Sequence, residues 1–560
     1  MTVIDWLVLV ATIAGIVVYG IVKTRNVTTA AGFLRGDNEL GWMTVGLSVM
    51  ATQASAITFL STPGQGYEDG MRFVQFYFGL PLAMILISAV IVPIFFRLRV
   101  YTAYEYLEHR FDRRVRLLGA SLFLVQRGLA AGITIYAPAI VLSTLLGWRL
   151  DVTNLVIGVI VILYTVVGGS KAVSQTQKQQ MIVIMAGMFI AAAVIVGSLP
   201  EGVGLVEATR LAGALGRMNV VSFDLDPSDR YNVWSGLTGG FFLALAYFGT
   251  DQSQVQRYLS GRSIREIRLG LLFNGLFKIP MQFFILAIGV LLFVLHVYEL
   301  PPSFFNRPAL EASRISAQKE RMDVLEIRQR ELHEARLALA TAYVESDFRD
   351  EAVLGELTRA HEAVEEGRAE IRQLVNLAVP KAETNDADFI FISFVVERLP
   401  AGLVGLLIAV ILSAAMSSTA SELSALGSTS TIDIYRLFFA PEASDRHVLV
   451  ASKAFTVMWG LVAIAFATFA SLIDNLIEAV NILGSLFYGT VLGIFLAAFF
   501  LPFVKSRGVF VAAVLAECSV LASFFFSDLG FLWFNVIGCL VTMVLAPLFT
   551  LVFDRPARAG

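Results

Sequence analysis

Thirteen apolar stretches, separated by short polar loops, dominate the pattern of hydrophobic and polar positions along the chain. Each is close to the length of about 20 residues with which an α-helix crosses the hydrocarbon core of a bilayer. The pattern therefore predicts an all-α polytopic membrane protein with about 13 transmembrane helices. The stretches lie near residues 3–22, 41–62, 74–96, 117–146, 152–168, 179–199, 233–256, 268–298, 400–430, 447–472, 475–503, 509–527 and 530–553.

Basic residues in the short loops predict the orientation of these helices. The loops "KTRNVTTAAGFLRG", "QRYLSGRSIREIR" and "FVKSRG" are rich in Lys and Arg, whereas "GWRLDVTN" and "ASLIDN" are much less basic. Cytoplasmic loops carry the excess of positive charge in membrane proteins. We therefore predict a multi-pass protein of the plasma (inner) membrane, with its N-terminus outside and its C-terminus in the cytoplasm.

Residues 308–378 break the membrane pattern, because this segment is dense in Glu, Arg, Ala and Leu. Two runs in it carry apolar residues every seven positions, which predicts an antiparallel helical hairpin. The predicted topology puts the hairpin on the outer side of the membrane. An accessory hairpin without chemistry is the simplest interpretation, and a contact with a partner protein is the alternative. The two runs are Leu325, Leu332 and Leu339, and Leu357, Val364 and Ile371.

Composition and the motifs missing from the sequence exclude several classes of protein. The chain has 560 residues, of which 57% are hydrophobic and 16% charged, so a soluble protein is excluded. The sequence contains no Walker A motif, no nucleophile elbow and no Cys/His cluster with metal-ligand spacing. We therefore predict that the protein is not an enzyme and binds no nucleic acid. Its predicted partners are the lipid bilayer and a small solute, and any active transport would use an ion gradient.

Two apolar stretches contain unusually many hydroxyl and amide groups. In "ILSAAMSSTASELSALGSTS", Ala414, Ser417 and Ser418 share one helical face, which suits either close helix packing or a cation site made of oxygen atoms. In "GLSVMATQASAITFLSTPG", the polar residues suit either a helix broken near the middle of the bilayer or an ordinary kinked helix. The sequence alone leaves both alternatives open.

Ionisable residues inside apolar stretches are candidates for function, because burying charge in a membrane is unfavourable. Arg127 is the strongest, since a guanidinium suits the planar carboxylate of a solute. The alternative is that Arg127 forms an ion pair with Glu422. Asp251 lies near Arg257, and we expect the two to form a structural ion pair. Lys278 and Glu517 complete the set.

Several motifs together resemble the sodium:solute symporter family, especially its monocarboxylate, vitamin, iodide and sialic acid branches. They are "YTAYEYLEHRF", "IYAPA", "LYTVVGGSKAVSQTQ", "YFGTDQSQVQRYLSG" and "SALGSTSTIDIYR". The resemblance implies a LeuT-like fold with a 5+5 inverted repeat, to which the hairpin would be an insertion. The implied units are an N-terminal helix (1–40), the first repeat (41–199), the second repeat (200–307 and 386–505), the inserted hairpin (308–385) and C-terminal helices (506–560).

The resemblance also implies binding residues. The sodium ligands would be the carbonyls of Ala51, Ala54 and Ala414 and the hydroxyls of Ser417 and Ser418. A second sodium site of some relatives uses an aspartate where this chain has Gln177, so we expect that site to be absent. Sugar-carrying relatives have a glutamate where this chain has Tyr77, which disfavours sugars. The candidate substrate contacts are Thr52, Gln53, Ser55, Thr58, Phe73, Tyr77 and Arg127.

These expectations favour a sodium-coupled symporter that imports a small organic anion, a carboxylate, by alternating access. Na⁺ would be the coupling ion. One alternative is a sodium symporter for a neutral amino acid or polyol, in which Arg127 is structural. Another alternative is a sensor or receptor derived from a transporter, in which the hairpin engages a partner protein.

Overall fold

The structure, a computed structural model, describes residues 1–24, 30–35, 39–98, 100–379, 386–468 and 476–553. Helices account for most of these residues, and short 3₁₀ or π-helical turns join several of them. The 23 α-helices of the described residues are α1 (Val3–Thr24), α2 (Ala30–Arg35), α3 (Trp42–Gln53), α4 (Ala56–Asp69), α5 (Leu80–Leu86), α6 (Val92–Leu98), α7 (Glu105–Arg110), α8 (Arg113–Leu146), α9 (Leu150–Gly197), α10 (Leu205–Ala214), α11 (Gly240–Thr250), α12 (Gln252–Tyr258), α13 (Ile264–Tyr298), α14 (Arg307–Arg314), α15 (Lys319–Glu345), α16 (Glu351–Ala378), α17 (Ala387–Arg398), α18 (Leu403–Thr429), α19 (Arg436–Phe438), α20 (Asp445–Ala467), α21 (Leu476–Phe500), α22 (Ser506–Phe526) and α23 (Leu532–Phe553).

Eleven helical segments of the described residues are long and apolar enough to cross a membrane, compared with the thirteen stretches predicted. The predicted span 41–62 is broken between α3 and α4, and its second half continues into the apolar segment Ala56–Leu98. The predicted span 233–256 is also divided, because α11 ends at Thr250 and α12 begins at Gln252. The hydrophobic pattern thus located the membrane segments, and the difference in number comes from breaks inside them.

A kink divides α9 and separates the predicted spans 152–168 and 179–199. Only Gly169 leaves the helical conformation there, with φ 58° and ψ −173°. A residue with a side chain rarely adopts this φ. A Cβ at this position would also lie 2.5 Å from the ring of Phe33. Glycine therefore allows the chain to change direction without an intervening loop.

Helices α3, α4 and α18 lie at the centre of the bundle. Every residue of α18 from Ser413 to Thr429 is buried. α18 packs against α8, α9 and α1, while α3 and α4 pack against α13. The small and hydroxylated residues of α18 permit this close packing of helices. The two polar stretches identified in the sequence therefore meet in the interior.

Helices α15 and α16 pack against each other, and neither is among the eleven candidate spans. Gln329 Nε2 donates to Val364 O (3.1 Å) across their contact. The predicted stripe on α16 is buried, but the leucines predicted to be buried on α15 are only half-buried. The buried stripe of α15 is shifted by three residues, because this helix also packs against α13 and α10. That stripe consists of Met322, Gln329, Arg336 and Tyr343.

Candidate functional site

The helix break lies where the polar stretch of residues 46–67 predicted one. Helix α3 ends at Gln53, and the next two residues, Ala54 and Ser55, are not helical before α4 begins. Ser55 N–H donates to Gln53 O (3.1 Å), and Thr58 N–H donates to Ser55 O (3.0 Å). In an uninterrupted helix, these two N–H groups would donate to the carbonyls of Ala51 and Ala54. The break therefore releases both predicted sodium-binding carbonyls from helical hydrogen bonding.

The hydroxyl groups of α18 lie against this break. Ser417 Oγ is 3.4 Å from Ala51 O, and Ser418 Oγ donates to Ala414 O (3.1 Å). Both serines are 1% exposed, so their hydroxyls face protein and not lipid. Hard cations prefer oxygen ligands of this kind. The structure thus places the hydroxyl of Ser417 beside the carbonyl of Ala51, and the hydroxyl of Ser418 beside that of Ala414.

Gln177 lies beside these residues, on the second half of α9. Its Nε2 donates to Thr52 Oγ1 (3.0 Å) and to Ser421 Oγ (3.0 Å), and its Oε1 accepts from Ser48 Oγ. The amide therefore links α9 to α3 and α18 as a neutral hydrogen-bonding group.

A cavity of about 80 Å³ lies next to the break, with room for several water molecules or one small solute. Six of the seven predicted substrate contacts line it: Thr52, Gln53, Ser55, Thr58, Tyr77 and Arg127. Phe73 does not. Its ring stacks on Phe76 (5.6 Å between centroids), and Phe76 lines the cavity instead. The 3₁₀ turns of residues 70–77 decide which ring faces the cavity, and the sequence pattern does not predict them.

The sequence pattern did not predict the cavity wall contributed by α8, α11 and α21 beyond Arg127. The residues of this wall lie in apolar stretches where an isolated Tyr, Thr or Asn is common, so their positions do not stand out. The missed polar residues are Thr134, Tyr247, Asn481 and Tyr488.

Arg127 forms a buried ionic network at one wall of the cavity. Its Nη1 donates to Glu422 Oε1 (3.1 Å), and its Nη2 donates to Asp251 Oδ2 and to Tyr488 OH. The guanidinium carbon also lies 5.3 Å from the ring centroid of Tyr247. The predicted alternative for Arg127, an ion pair with Glu422, is therefore present. We call Arg127, Asp251 and Glu422 the cavity network.

The expected ion pair between Asp251 and Arg257 is wrong, because Asp251 pairs with Arg127. Asp251 occupies the break between α11 and α12 with extended backbone (φ −75°, ψ 121°). Its Oδ1 accepts from Ser253 N (2.8 Å) and Ser253 Oγ (2.6 Å) and so caps α12. The break directs the carboxylate into the bundle, where it meets Arg127.

Lys278 lies behind one wall of the cavity. It is fully buried, and its Nζ is 5.5 Å from the ring centroid of Tyr77. Among the described residues its ammonium has no hydrogen-bond acceptor. The other predicted membrane carboxylate, Glu517, lies on α22 and does not line the cavity.

A model of the family described as "Sodium:solute symporter family" matches residues 33–318 and 371–516. The match covers most of the chain. It leaves out residues 319–370, which form α15 and most of α16.

Curated relatives include the human "Sodium/iodide cotransporter", which is 36% identical over 274 residues, or 48% of this chain and 41% of the relative. The bovine "Sodium-coupled monocarboxylate transporter 2" is 27% identical over 495 residues, or 88% of this chain and 67% of the relative. The chain thus spans less than half of the first relative and about two thirds of the second.

Among solved structures, the chain is similar to a Na⁺-coupled sialic acid symporter in a substrate-bound outward-open state. The TM-score is 0.77, with 23% sequence identity and coverage of 99% of this chain and 98% of the other. At this identity the likeness establishes the fold, which is the LeuT-like arrangement of helices.

Proposed function

The chain belongs to the sodium:solute symporter family, a family of transporters and not of enzymes, and from this premise we propose that it imports a small carboxylate together with sodium by alternating access. The observation that carries the proposal is the meeting of the helix break with the hydroxyl face of α18, beside a cavity lined by Arg127.

The proposed sodium site combines carbonyls and hydroxyls from two elements. The carbonyls of Ala51 and Ala54 are released by the break, and Ser417 and Ser418 present hydroxyls from α18. Sodium bound by both elements would draw them together and stabilise the unwound turn. Because that turn also lines the cavity, binding of sodium and binding of solute would favour each other. Gln177 supports the proposal that no carboxylate-based second site accompanies this one.

The proposed carboxylate contact is Arg127, and its bonds indicate how a solute would reach it. Glu422 holds Nη1 through a single oxygen at 3.1 Å, and its other oxygen makes no hydrogen bond of standard geometry among the described residues. Asp251 is held by Arg127, Tyr488 and Ser253. A solute carboxylate would therefore replace Glu422 on the guanidinium and leave Asp251 in place.

Transport would proceed through changes in the elements around the break. Sodium first fixes α3 against α18, and the solute then binds in the preformed cavity. Closure on one side and opening on the other expose the same site to the cytoplasm, where loss of sodium loosens the unwound turn. One sodium with a monoanion would carry no net charge, so a tenfold sodium gradient would support about tenfold accumulation.

We also propose the membrane arrangement inferred from the loops. The N-terminus would be outside, the C-terminus would be cytoplasmic, and α15 and α16 would form an extracytoplasmic insertion between parts of the second inverted repeat. The family match supports the insertion, because it resumes at residue 371 after a gap from 319. The domain boundaries predicted from the sequence are retained as part of this proposal.

Ligand-dependent thermal stability of the purified protein tests the proposal. We expect stabilisation in sodium chloride but not in potassium chloride, and further stabilisation by at least one carboxylate only when sodium is present. A panel of carboxylates, amino acids and sugars identifies the solute class. Folded protein that responds to neither sodium nor any carboxylate would contradict the proposal.

Replacement of Arg127 by Lys tests the carboxylate contact while keeping the positive charge. An ammonium cannot bind two carboxylates with the fixed geometry of a guanidinium. We expect at least about tenfold weaker apparent affinity for the best carboxylate. Arg110→Lys is the matched control, since Arg110 donates to the carbonyls of Ala498 and Leu501 outside the cavity. Unchanged affinity in Arg127→Lys would show that Arg127 is structural.

A further inference from the structure

The cavity network carries unequal charge. Arg127 contributes one positive charge, whereas Asp251 and Glu422 contribute two carboxylates, and Arg127 and Glu422 both line the cavity. A solute with one negative charge would add a third carboxylate to this wall. Like charges repel strongly where water is scarce. Within the network, three carboxylates would then share the single positive charge of Arg127.

The two carboxylates of the network differ in how completely they are bonded. Asp251 accepts from Arg127 and from Tyr488 OH (2.9 Å) on Oδ2, and from Ser253 N and Oγ on Oδ1. It is saturated and fixed at the start of α12. Glu422 accepts from Arg127 on Oε1 (3.1 Å) and has one further side-chain partner, the hydroxyl of Thr134, so it has fewer partners than Asp251. Glu422 is therefore the group that a ligand can displace.

Displacement of Glu422 from Arg127 would leave a buried carboxylate without a positive partner, which is strongly unfavourable. A solute that supplies a cationic nitrogen next to its own carboxylate removes this difficulty. Its carboxylate takes the place of Glu422 on Arg127, and its nitrogen becomes the new partner of Glu422. Each charged group keeps an opposite charge, and the net charge of the wall does not change.

A second group in the cavity is an acceptor without a donor. Gln53 lines the cavity at the helix break, and its Oε1 is buried with no hydrogen-bond partner among the described residues. A protonated nitrogen has several N–H donors and suits acceptors of this kind, whereas a second carboxylate has none to offer. Both Glu422 Oε2 and Gln53 Oε1 could therefore accept a hydrogen bond from a cationic nitrogen of the solute.

We propose that the solute is a zwitterion, an amino acid or a related compound, whose carboxylate binds Arg127 and whose cationic nitrogen binds Glu422. This inference rests on the proposed function, because it requires the solute carboxylate to bind Arg127. It assigns Glu422 as the residue that distinguishes a zwitterion from a plain organic anion.

Matched pairs of solutes test the inference in the wild-type protein. L-Alanine and L-lactate share a three-carbon skeleton and differ in an ammonium or a hydroxyl at the second carbon, as do L-valine with 2-hydroxyisovalerate and L-phenylalanine with phenyllactate. The measurement is the solute concentration that stabilises the protein against heat in the presence of sodium. For one or more pairs, we expect this concentration to be at least about tenfold lower for the amino acid than for its hydroxy acid. Equal or better binding of the hydroxy acid in every pair would overturn the inference.

Substitution of Glu422 tests its assigned role. In Glu422→Gln, we expect the preference for the amino acid over its hydroxy acid to fall at least about tenfold, since the nitrogen loses its counter-charge. Glu517→Gln removes another carboxylate of a membrane helix outside the cavity and should keep the wild-type preference. An unchanged preference in Glu422→Gln would overturn the inference.

Transport current provides a test that does not depend on the folding of a variant. In proteoliposomes, sodium with a zwitterion moves one net positive charge, whereas sodium with a monoanion moves none. We expect inward current with the preferred amino acid. Electroneutral uptake of a hydroxy acid as the preferred solute would overturn the inference but keep the proposed function. Absence of any sodium-dependent response to all the solutes would overturn both.

Discussion

Two buried arginine networks in this chain differ in charge balance and in saturation. The cavity network contains one arginine, Arg127, and two carboxylates, and one oxygen of Glu422 lacks a standard hydrogen bond among the described residues. The second network joins α16 to α4 and to the residue before α17, and we call it the docking network. It contains two arginines and two carboxylates, so its charges balance.

The docking network is densely bonded. Arg368 donates to Tyr67 OH (3.1 Å) and pairs with Asp386 (3.5 Å), while Arg372 pairs with Asp386 (3.0 Å) and with Glu68. Asp386 and Arg368 are almost completely buried. Tyr67 and Glu68 belong to the last turns of α4, so this network fastens α16 to the second half of the broken helix.

The comparison contrasts an ionic network that we propose binds a ligand with one that holds elements together. Where arginines and carboxylates balance, a charged ligand finds no group in need of a partner. An excess carboxylate beside a cavity can instead give up its arginine to a ligand carboxylate. Arg127 of the cavity network and Arg368 of the docking network are buried to a similar degree, so burial alone does not identify a binding site. The features that distinguish the two networks are their charge balance and the carboxylate oxygens left without a hydrogen bond.

The largest expected effect is on the docking network. Arg368→Gln leaves Asp386 with one arginine instead of two and removes the bond to Tyr67. Removing one partner of a buried ion pair typically destabilises by about 3–5 kcal/mol. We expect a loss of this order in the free energy that keeps α15 and α16 docked, measured by amide hydrogen exchange in these helices.

The matched control for Arg368→Gln is Arg328→Gln. Arg328 pairs with Glu370 between α15 and α16, but both side chains are about half exposed. Exposed pairs contribute about 1 kcal/mol or less. Equal effects of the two substitutions would show that the docking network is no stronger than a surface pair.

The next effect concerns the proposed sodium site. Ser417→Ala/Ser418→Ala removes two of the five proposed ligands. We expect the sodium concentration needed for thermal stabilisation to rise by about 10–100-fold. Changes to the residues that support metal ligands typically weaken metal affinity by this amount. Exchange in α15 and α16 should stay unchanged, since the docking network is elsewhere.

Ser424→Ala is the matched control for the double serine variant. Ser424 lies on the same helix and is 1% exposed, but its hydroxyl has no hydrogen-bond partner among the described residues. It should respond to sodium as the wild type does. A double variant that keeps its sodium response would leave Ser417 and Ser418 as packing residues.

Features that depend on residues close together in the chain were easier to predict from the sequence than contacts between distant segments. Membrane segments were predictable, because apolar length is a local property of the chain. The break in α3–α4 was one of two alternatives, and the unusual density of polar residues pointed to it. The resemblance to a family then indicated the carbonyls of Ala51 and Ala54, which the backbone bonding of Ser55 and Thr58 releases.

Interactions between distant segments were less predictable. The pair of Arg127 with Glu422 was an open alternative, but its bond to Asp251 was missed, because a break in another helix turns that carboxylate inward. The buried stripe of α15 was missed for a similar reason. Heptad leucines predict packing between two helices, whereas Arg336 is buried because it donates to His296 O (2.7 Å) on a third helix.

A further expected effect is a dependence of α15–α16 docking on pH. Burial lowers the pKa of His361 to about 4 against the opposing influence of Glu365, and Arg217 and Arg336 make smaller lowering contributions. Burial and Arg336 lower the pKa of His333 to about 4 as well. Exposed histidine has a pKa of about 6.5, so the undocked state binds more protons between pH 6.5 and 4.

The contribution of these histidines to the free energy of docking is therefore fully present above about pH 6.5. It is lost as the pH falls towards about 4. We expect weaker protection of α15 and α16 at pH 5 than at pH 7.5, after correction of amide exchange for its intrinsic pH dependence. His333→Gln/His361→Gln should flatten this dependence, because neither residue can then take up a proton. An equally steep loss of protection in that variant would show that the two histidines do not cause the pH dependence.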